Sequence, residues 1–75
     1  MGTKNFELTD PTSTLNKAFA DEPIFILRAQ DLTADGLVEQ WANRAEKRGC
    51  PKEKCDEARH IAQAMRDWPV RKTPD

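Results

Sequence analysis

The 75-residue chain contains few of the residues that build metal centres, covalent scaffolds or phosphate-binding loops: it has two cysteines, one histidine, three glycines and no tyrosine. Two cysteines are too few for a disulfide framework, and with His60 as the sole histidine they do not make a zinc site. The glycines are isolated from one another, which excludes the glycine-rich loops of phosphate-transfer and dinucleotide folds. We therefore expect neither a metal nor a cofactor.

The chain also lacks long apolar runs and a strong net charge. No run approaches the length of a membrane-crossing helix, and the N-terminus has no signal-peptide apolar region. The formal net charge of −1 lacks the basic excess of a general nucleic-acid binder. These absences predict a soluble cytoplasmic protein with no membrane contact and no generic nucleic-acid binding.

The apolar content limits the size of the core. A chain of this length forms one small domain and buries only about 60% of the surface that it exposes when unfolded. Hydrophobic residues make up 37% of the chain and charged residues 33%, which is lean for a self-sufficient fold. We expect a thin core and a homodimer or higher oligomer.

The stretch Glu22–Asp31 is the centre of the chain, because its residues Ile24–Leu27 form a continuous apolar run. A run without polar alternation predicts an extended or β segment that is covered on both faces. A lone strand leaves backbone groups unpaired on both edges. Two solutions stay open: pairing with the same segment of a second copy across a twofold axis, or pairing with Phe6–Leu8 of the same chain.

Two amphipathic helices follow this stretch. The first is capped by Asp31 or Thr33 and runs to about Arg48, and the second begins at Pro51 and ends before Pro69. Apolar residues recur at three-and-four spacing along both, as expected for helices with one buried face. These residues are Leu37, Val38, Trp41, Ala42 and Ala45 in the first helix and Cys55, Ala58, Ile61, Ala62 and Met65 in the second.

The connection between the helices is short and contains Gly49, the expected left-handed terminator. So short a link forces the two helices into an αα-hairpin. The small residues Ala42, Ala45, Ala58 and Ala62 allow the helix axes to approach closely.

The two ends of the chain are less strongly patterned. Asp10 followed by proline predicts a short helix over Pro11–Ala20, and the alternative is an arm that becomes ordered only on contact. The tail after Trp68 is expected to be extended and to pack only near Trp68 and Val70. The resulting fold class is mainly α: an oligomeric αα-hairpin with one short N-terminal helix and one buried extended segment. We divide it into an arm over residues 1–21 and a hairpin domain over residues 22–75.

Arg28, Gln30 and Asp31 follow the apolar run at the point where the chain returns to the surface. Arginine supplies a planar fork for phosphate or carboxylate, so these side chains are candidates for binding a polar ligand. The alternative is local: Arg28 pairs with Asp31 or a helix carboxylate, while Gln30 and Asp31 serve the turn and the cap.

A local basic excess crowds the predicted hairpin turn, where an anionic ligand or an acidic protein surface would be attracted. Simple solvation of an exposed turn is the alternative. The basic residues are Arg44, Lys47, Arg48, Lys52 and Lys54, against the acids Glu46 and Glu53. Trp41 and Trp68 are expected on the inward helix faces, as core residues or as stacking platforms. The candidate ligand-binding set is Arg28, Gln30, Asp31, Trp41, Arg44, Lys47 and Arg48.

A recurring set of residues extends from Glu22 to the C-terminus: Glu22 through Asp31, Trp41, Glu57, Ala58, Ala62, Met65, Trp68, Pro69, Lys72, Pro74 and Asp75. In these residues the chain resembles a group of small proteins encoded by phages and prophages of proteobacteria. The resemblance covers about the last fifty residues and supplies a setting, with no catalytic or binding residues to carry over.

The setting implied by the resemblance is interference with host defence inside the bacterial host. We expect no enzyme, because no acid–base pair is placed to act together and Cys55 and His60 are poorly placed as a nucleophile and base. The first hypothesis is sequestration of a nucleotide-like signal in pockets between subunits. The second is inhibition of a host or defence protein by direct binding, without a small-molecule ligand.

Overall fold

The structure, a computed structural model, describes residues 2–74 and contains four helices. Helix α1 spans Lys4–Thr9, α2 spans Thr14–Lys17, α3 spans Ala34–Lys47 and α4 spans Lys52–Arg66. The two long helices, α3 and α4, pack against each other, and the two short ones contact each other. The predicted mainly helical class and the helical hairpin are confirmed.

The hairpin turn forms as the sequence predicts. Gly49 has a φ of 91°, in the left-handed region that ends helices. The backbone N–H of Cys50 donates to the carbonyl of Ala45 at 3.0 Å, which closes the last turn of α3. Pro51 is the N-cap residue with a φ of −54°, so α4 begins one position later than predicted.

Small side chains fill the interface between α3 and α4. Ala42, Cys55 and Ala58 form the buried cluster, and Val38 and Ala45 pack against it. Because no large side chain separates the helices, their axes lie close and the interface is thin. The predicted close approach through alanines is therefore confirmed.

Burial of Ile24–Leu27 within the chain is a wrong prediction. The segment has no regular secondary structure, and Phe25 is 86% and Ile26 70% exposed. The alternative partner, Phe6–Leu8, lies in helix α1 and is not paired with it. The physical reason lies in the alanine-rich interface between α3 and α4, which we call the seam. The two helices pack directly against each other there, so the hairpin has no open side for the apolar segment to cover.

The inward placement of the tryptophans is also wrong. Trp41 is 48% and Trp68 54% exposed, and Leu37 on α3 is about half exposed as well. Trp68 lies past Arg66, where α4 ends, so it no longer shares the helix face that meets α3. A seam narrow enough for alanine leaves bulky side chains at its margin.

The N-terminal arm forms two short helices in place of the single predicted helix over Pro11–Ala20. Asp10 does not cap a helix start: its carboxylate accepts from the N–H of Thr12 at 2.8 Å, forming a turn that separates α1 from α2. Ser13 is the N-cap of α2, and its buried hydroxyl accepts from Asn16 N–H at 3.1 Å and donates to the Glu7 carbonyl at 2.8 Å. These bonds tie α2 to α1.

No helix of the described part of the chain has the length and apolar character needed to cross a membrane.

Candidate functional site

Three of the predicted polar residues converge on one shallow cleft of about 130 Å³. Arg28, Gln30 and Asp31 line one side of it, and Lys72 and Pro74 of the C-terminal tail line the other. The tail therefore does not pack only near Trp68 and Val70, as the sequence suggested. It returns to the chain segment that precedes α3.

Backbone pairing holds the tail in this position. The N–H of Lys72 donates to the Gln30 carbonyl at 2.7 Å, and the N–H of Leu32 donates to the Lys72 carbonyl at 3.0 Å. Together these bonds form a single parallel bridge between Asp31 and Lys72. The cleft thus has a fixed backbone frame on both of its sides.

Arg71 fastens the same junction from the side chain. Its Nε donates to the Ala29 carbonyl and its Nη2 to the Asp31 carbonyl, both at 2.9 Å. Its Nη2 also lies 2.8 Å from Oδ1 of Asp35, in the first turn of α3. The two side chains are only 15% and 17% exposed, so the planar guanidinium acts as an internal clamp.

Asp35 receives a second arginine from the end of α4. Arg66 Nε lies 2.9 Å from the other carboxylate oxygen of Asp35, and Arg66 also pairs with Glu39. The hydrogen bond from Arg71, followed by that from Arg66, holds the pKa of Asp35 below its usual range. This carboxylate links the tail, the start of α3 and the end of α4.

Within the cleft, Asp31 and Arg28 have different roles. Oδ1 of Asp31 accepts from both the N–H and the hydroxyl of Thr33 at 2.7 Å, so this carboxylate stabilises the turn into α3. Arg28 is exposed, and its guanidinium forms no ion pair with any residue of the range 2–74. Asp31 therefore serves the turn, as the alternative to ligand binding predicted, whereas Arg28 lacks the local ion pair of that alternative and is accessible from solvent.

Most basic residues of the hairpin tip have no acidic partner within residues 2–74. Oε1 of Glu46 is 3.0 Å from Nη2 of Arg59 on α4, so the nearest acid of the tip is engaged across the hairpin. Among residues 2–74, Arg44, Lys47 and Arg48 form no ion pair.

Lys52, by contrast, is neutralised by Asp56 at 2.7 Å, and the hydrogen bond to that carboxylate raises the pKa of Lys52.

Helix α3 gathers three members of the predicted set on one exposed stripe. Leu37, Trp41, Arg44 and Arg48 are separated by four, three and four positions, which places them above one another on a helix. All four are exposed. We call this set the α3 stripe. Lys47, three positions after Arg44, lies at the margin of the stripe.

The predicted site residues thus form two groups. Arg28, Gln30 and Asp31 share the cleft with the tail, whereas Trp41, Arg44 and Arg48 share the α3 stripe and line neither cleft described here. The sequence does not predict that Arg71 and Lys72 are partners of the cleft. Their basic character is the available signal, but the groups that they contact are set by long-range contacts.

Another cleft, of about 370 Å³, lies between the N-terminal arm and the start of α4. Acidic and basic side chains alternate around it, so no single charge converges there. Its lining is Phe6, Glu7, Thr12, Ser13, Thr14, Lys17, Pro51, Glu53, Lys54 and Glu57.

The cysteines are both free thiols. Cys55 is fully buried, and burial raises the pKa of its thiol, which disfavours the nucleophilic thiolate. His60 is exposed on α4. Across residues 2–74, no three cysteine, histidine or acidic side chains group closely enough to hold a metal ion.

Comparison of the chain with protein-family models, with curated proteins and with solved structures finds no match.

Proposed function

We propose that this chain is a non-enzymatic binding protein, of the phage accessory kind that its sequence resembles, and that it inhibits a host or defence protein by docking on an acidic surface. The α3 stripe is the docking face. The observation that carries this proposal is that Arg44 and Arg48 form no ion pair within residues 2–74 and share one exposed helix face with the half-exposed Trp41.

The composition of the stripe favours a protein partner over a small molecule. Tryptophan and arginine are the residues that most often dominate the binding energy of protein interfaces. Small-molecule sites are concave and enclose most of their ligand, whereas the stripe lies on an open helix face that lines neither cleft. Unpaired arginines also steer an acidic partner and speed its encounter.

The test is capture from host extract with the tagged protein and two stripe variants, Trp41→Ala and Arg44→Glu. A specific partner should be retained by the wild type and lost by both variants, with affinity reduced tenfold or more, since loss of a hot-spot side chain typically costs about 2 kcal/mol or more. Lys17→Glu is the matched control, because it makes the same charge change on the exposed surface of the arm. Capture that survives Arg44→Glu and Trp41→Ala would remove the stripe from the proposal.

A second candidate function is sequestration of a nucleotide-like anion, and the Arg28 cleft favours it. Arg28 is exposed and forms no ion pair within residues 2–74, and Gln30 and Lys72 line the same cleft. An exposed guanidinium group binds phosphate oxygens through charge-assisted hydrogen bonds. The cleft is small, so a nucleotide would need additional surface, such as a second subunit or a stacking tryptophan.

The second candidate is tested by a thermal-shift screen against cyclic oligonucleotides and NAD-derived signals. A ligand at a hundred times its Kd stabilises the folded state by about 2.7 kcal/mol, which raises the Tm of a domain this small by roughly ten degrees. Arg28→Ala should abolish the shift without changing the circular dichroism spectrum. A flat response across the panel would exclude sequestration of these ligands and leave the protein-binding proposal standing.

A further inference from the structure

The most exposed apolar part of the molecule is the segment of residues 22–28. It passes without a turn or bend and presents Ile24, Phe25 and Ile26 to solvent. These side chains expose on the order of 400 Å² of apolar surface per chain, which is comparable to the largest apolar patch of a typical monomer, and such patches are often functional. A surface of this kind is normally covered by a partner.

The backbone of this segment is equally unpartnered. Within residues 2–74, the N–H groups of Ile24–Arg28 donate no hydrogen bond, and the carbonyls of Ile24–Leu27 accept none. Pairing is blocked only at the ends: the N–H of Glu22 donates to the Phe19 carbonyl at 3.0 Å, and the Arg28 carbonyl accepts from Asp31 at 2.9 Å. A free strand edge with apolar side chains is a template for another strand.

We propose that residues 23–27, between these two ends, form an antiparallel β-ladder with the same residues of a second copy of this chain, in the register that places Phe25 opposite Phe25. This register makes the charges complementary. Glu22 and Arg28 lie three positions on either side of Phe25, so each Glu22 stands opposite the Arg28 of the second copy. The twofold axis through Phe25 creates two such pairs.

The same register accommodates Pro23, which has no N–H to donate. When the two Phe25 residues form a non-hydrogen-bonded pair, their side chains are at their closest and the hydrogen-bonded pairs fall at Ile24 opposite Ile26. Pro23 then stands opposite Leu27 at another non-hydrogen-bonded position, where its nitrogen points away from the second strand. The proline therefore leaves the ladder intact.

A second copy fits this edge better than an unrelated strand, since the segment is complementary to itself in charge. The two copies expose roughly 800 Å² of apolar side-chain surface between them, so this interface belongs to the small, weakly associating class. The α3 stripe is a separate surface, so this pairing goes beyond the proposed docking function and does not depend on it. The ladder gives Arg28 an ion-pair partner, Glu22 of the second copy, in place of a ligand.

The test is sedimentation of the full chain with a charge-reversal cycle. The wild type should be a dimer, and Glu22→Arg and Arg28→Glu should each weaken dimerisation roughly tenfold or more, because both symmetric pairs become like-charged. The double variant Glu22→Arg/Arg28→Glu should recover the wild-type dimer. An equimolar mixture of the two single variants should give a heterodimer, since both of its pairs are complementary.

Asp21→Arg is the matched control. It makes the same charge change one residue away, but in this register Asp21 stands opposite Ala29 and should leave dimerisation unchanged within about twofold, as expected for a neutral rim position. Ile26→Pro should abolish the dimer, because it removes a donor from a hydrogen-bonded position. Circular dichroism should be unchanged in all variants, as every altered side chain is exposed.

Each contrary result overturns a defined part of the proposal. A wild-type mass of one chain at about 1 mM protein, where even weak association is half complete, would overturn the pairing itself. A dimer that tolerates the single charge reversals, or that the double variant fails to restore, would overturn the register. Neither outcome bears on capture of an acidic partner by the α3 stripe, so failure of the two proposals can be distinguished.

Discussion

Replacement of Arg71 tests whether the C-terminal tail is an integral part of the fold. The Arg71→Ala chain loses two hydrogen bonds to the carbonyls of Ala29 and Asp31, both 2.9 Å long, and the ion pair with Asp35. A net contribution of about 1 kcal/mol per hydrogen bond gives a loss of roughly 2 kcal/mol from the two carbonyl contacts alone. The guanidinium is largely buried, so solvent would compensate little of this loss.

A loss of this size should be clearly visible in thermal unfolding. For a domain of this length, about 2 kcal/mol lowers the Tm by roughly 8 to 16 °C. Arg71→Lys should fall between the wild type and Arg71→Ala, because an ammonium group cannot reach both carbonyls and the carboxylate as a fork does. Arg44→Ala is the control: this arginine is exposed and has no ion pair within residues 2–74, so its loss should change stability by at most about 0.5 kcal/mol.

Hydrogen exchange gives the local counterpart of the thermal measurement. The amides of Leu32 and Lys72 are bonded across the junction and should lose protection in Arg71→Ala, whereas amides of the α3–α4 seam should keep it. A Tm for Arg71→Ala indistinguishable from that of Arg44→Ala, with Leu32 and Lys72 still protected, would refute the argument that this clamp holds the tail.

Three further predictions concern the carboxylate at the clamp, the cysteines and the seam. The arginine partners of Asp35 lower the pKa of its carboxyl group below 3.8, so the stability that this group contributes is present above pH 3.8 and is lost as the pH falls through the lower folded-state pKa. The Asp35→Asn variant should therefore lose less Tm than the wild type as the pH is lowered. A parallel decline of Tm in both proteins would contradict this contribution of Asp35. In the native protein, the partly exposed Cys50 should be alkylated before the buried Cys55, whereas in urea both thiols should react at the same rate. Mass spectrometry of the alkylated protein measures the two rates. Ala42→Leu should destabilise the hairpin by about 1–3 kcal/mol, because the buried seam would be overpacked. Gln40→Leu, on the exposed face of α3, is the control and should not have this cost. Equal urea midpoints for the two variants would show that the seam has room for a larger side chain.

The sequence by itself determined the two long helices, the turn between them and the thinness of the core. These features depend on local rules: apolar spacing for α3 and α4, a glycine able to adopt a positive φ at position 49, and a proline before α4. Even the character of the seam was readable, because alanines at helical spacing permit only close packing. At the N-terminus local signals competed, and the Asp10 turn prevailed over the longer helix that Pro11 suggested.

The candidate site was readable only in part. Arg28, Gln30 and Asp31 lie within four residues of one another, so their proximity follows from the chain. Their partners Arg71 and Lys72 come from forty residues away, and no local pattern specifies that the tail crosses back to this junction. The position of the tail depends on the long-range ion pair between Arg71 and Asp35.

The tertiary structure alone decided which apolar residues are covered. Sequence hydrophobicity states that Ile24–Leu27 and Trp41 favour burial, but it does not state whether the chain has a surface to bury them against. In this fold the narrow α3–α4 seam is filled by alanine and cysteine, so Phe25, Ile26 and Trp41 remain at the surface. Burial is a property of the space that neighbouring elements leave, and that space is set by how closely the helices pack.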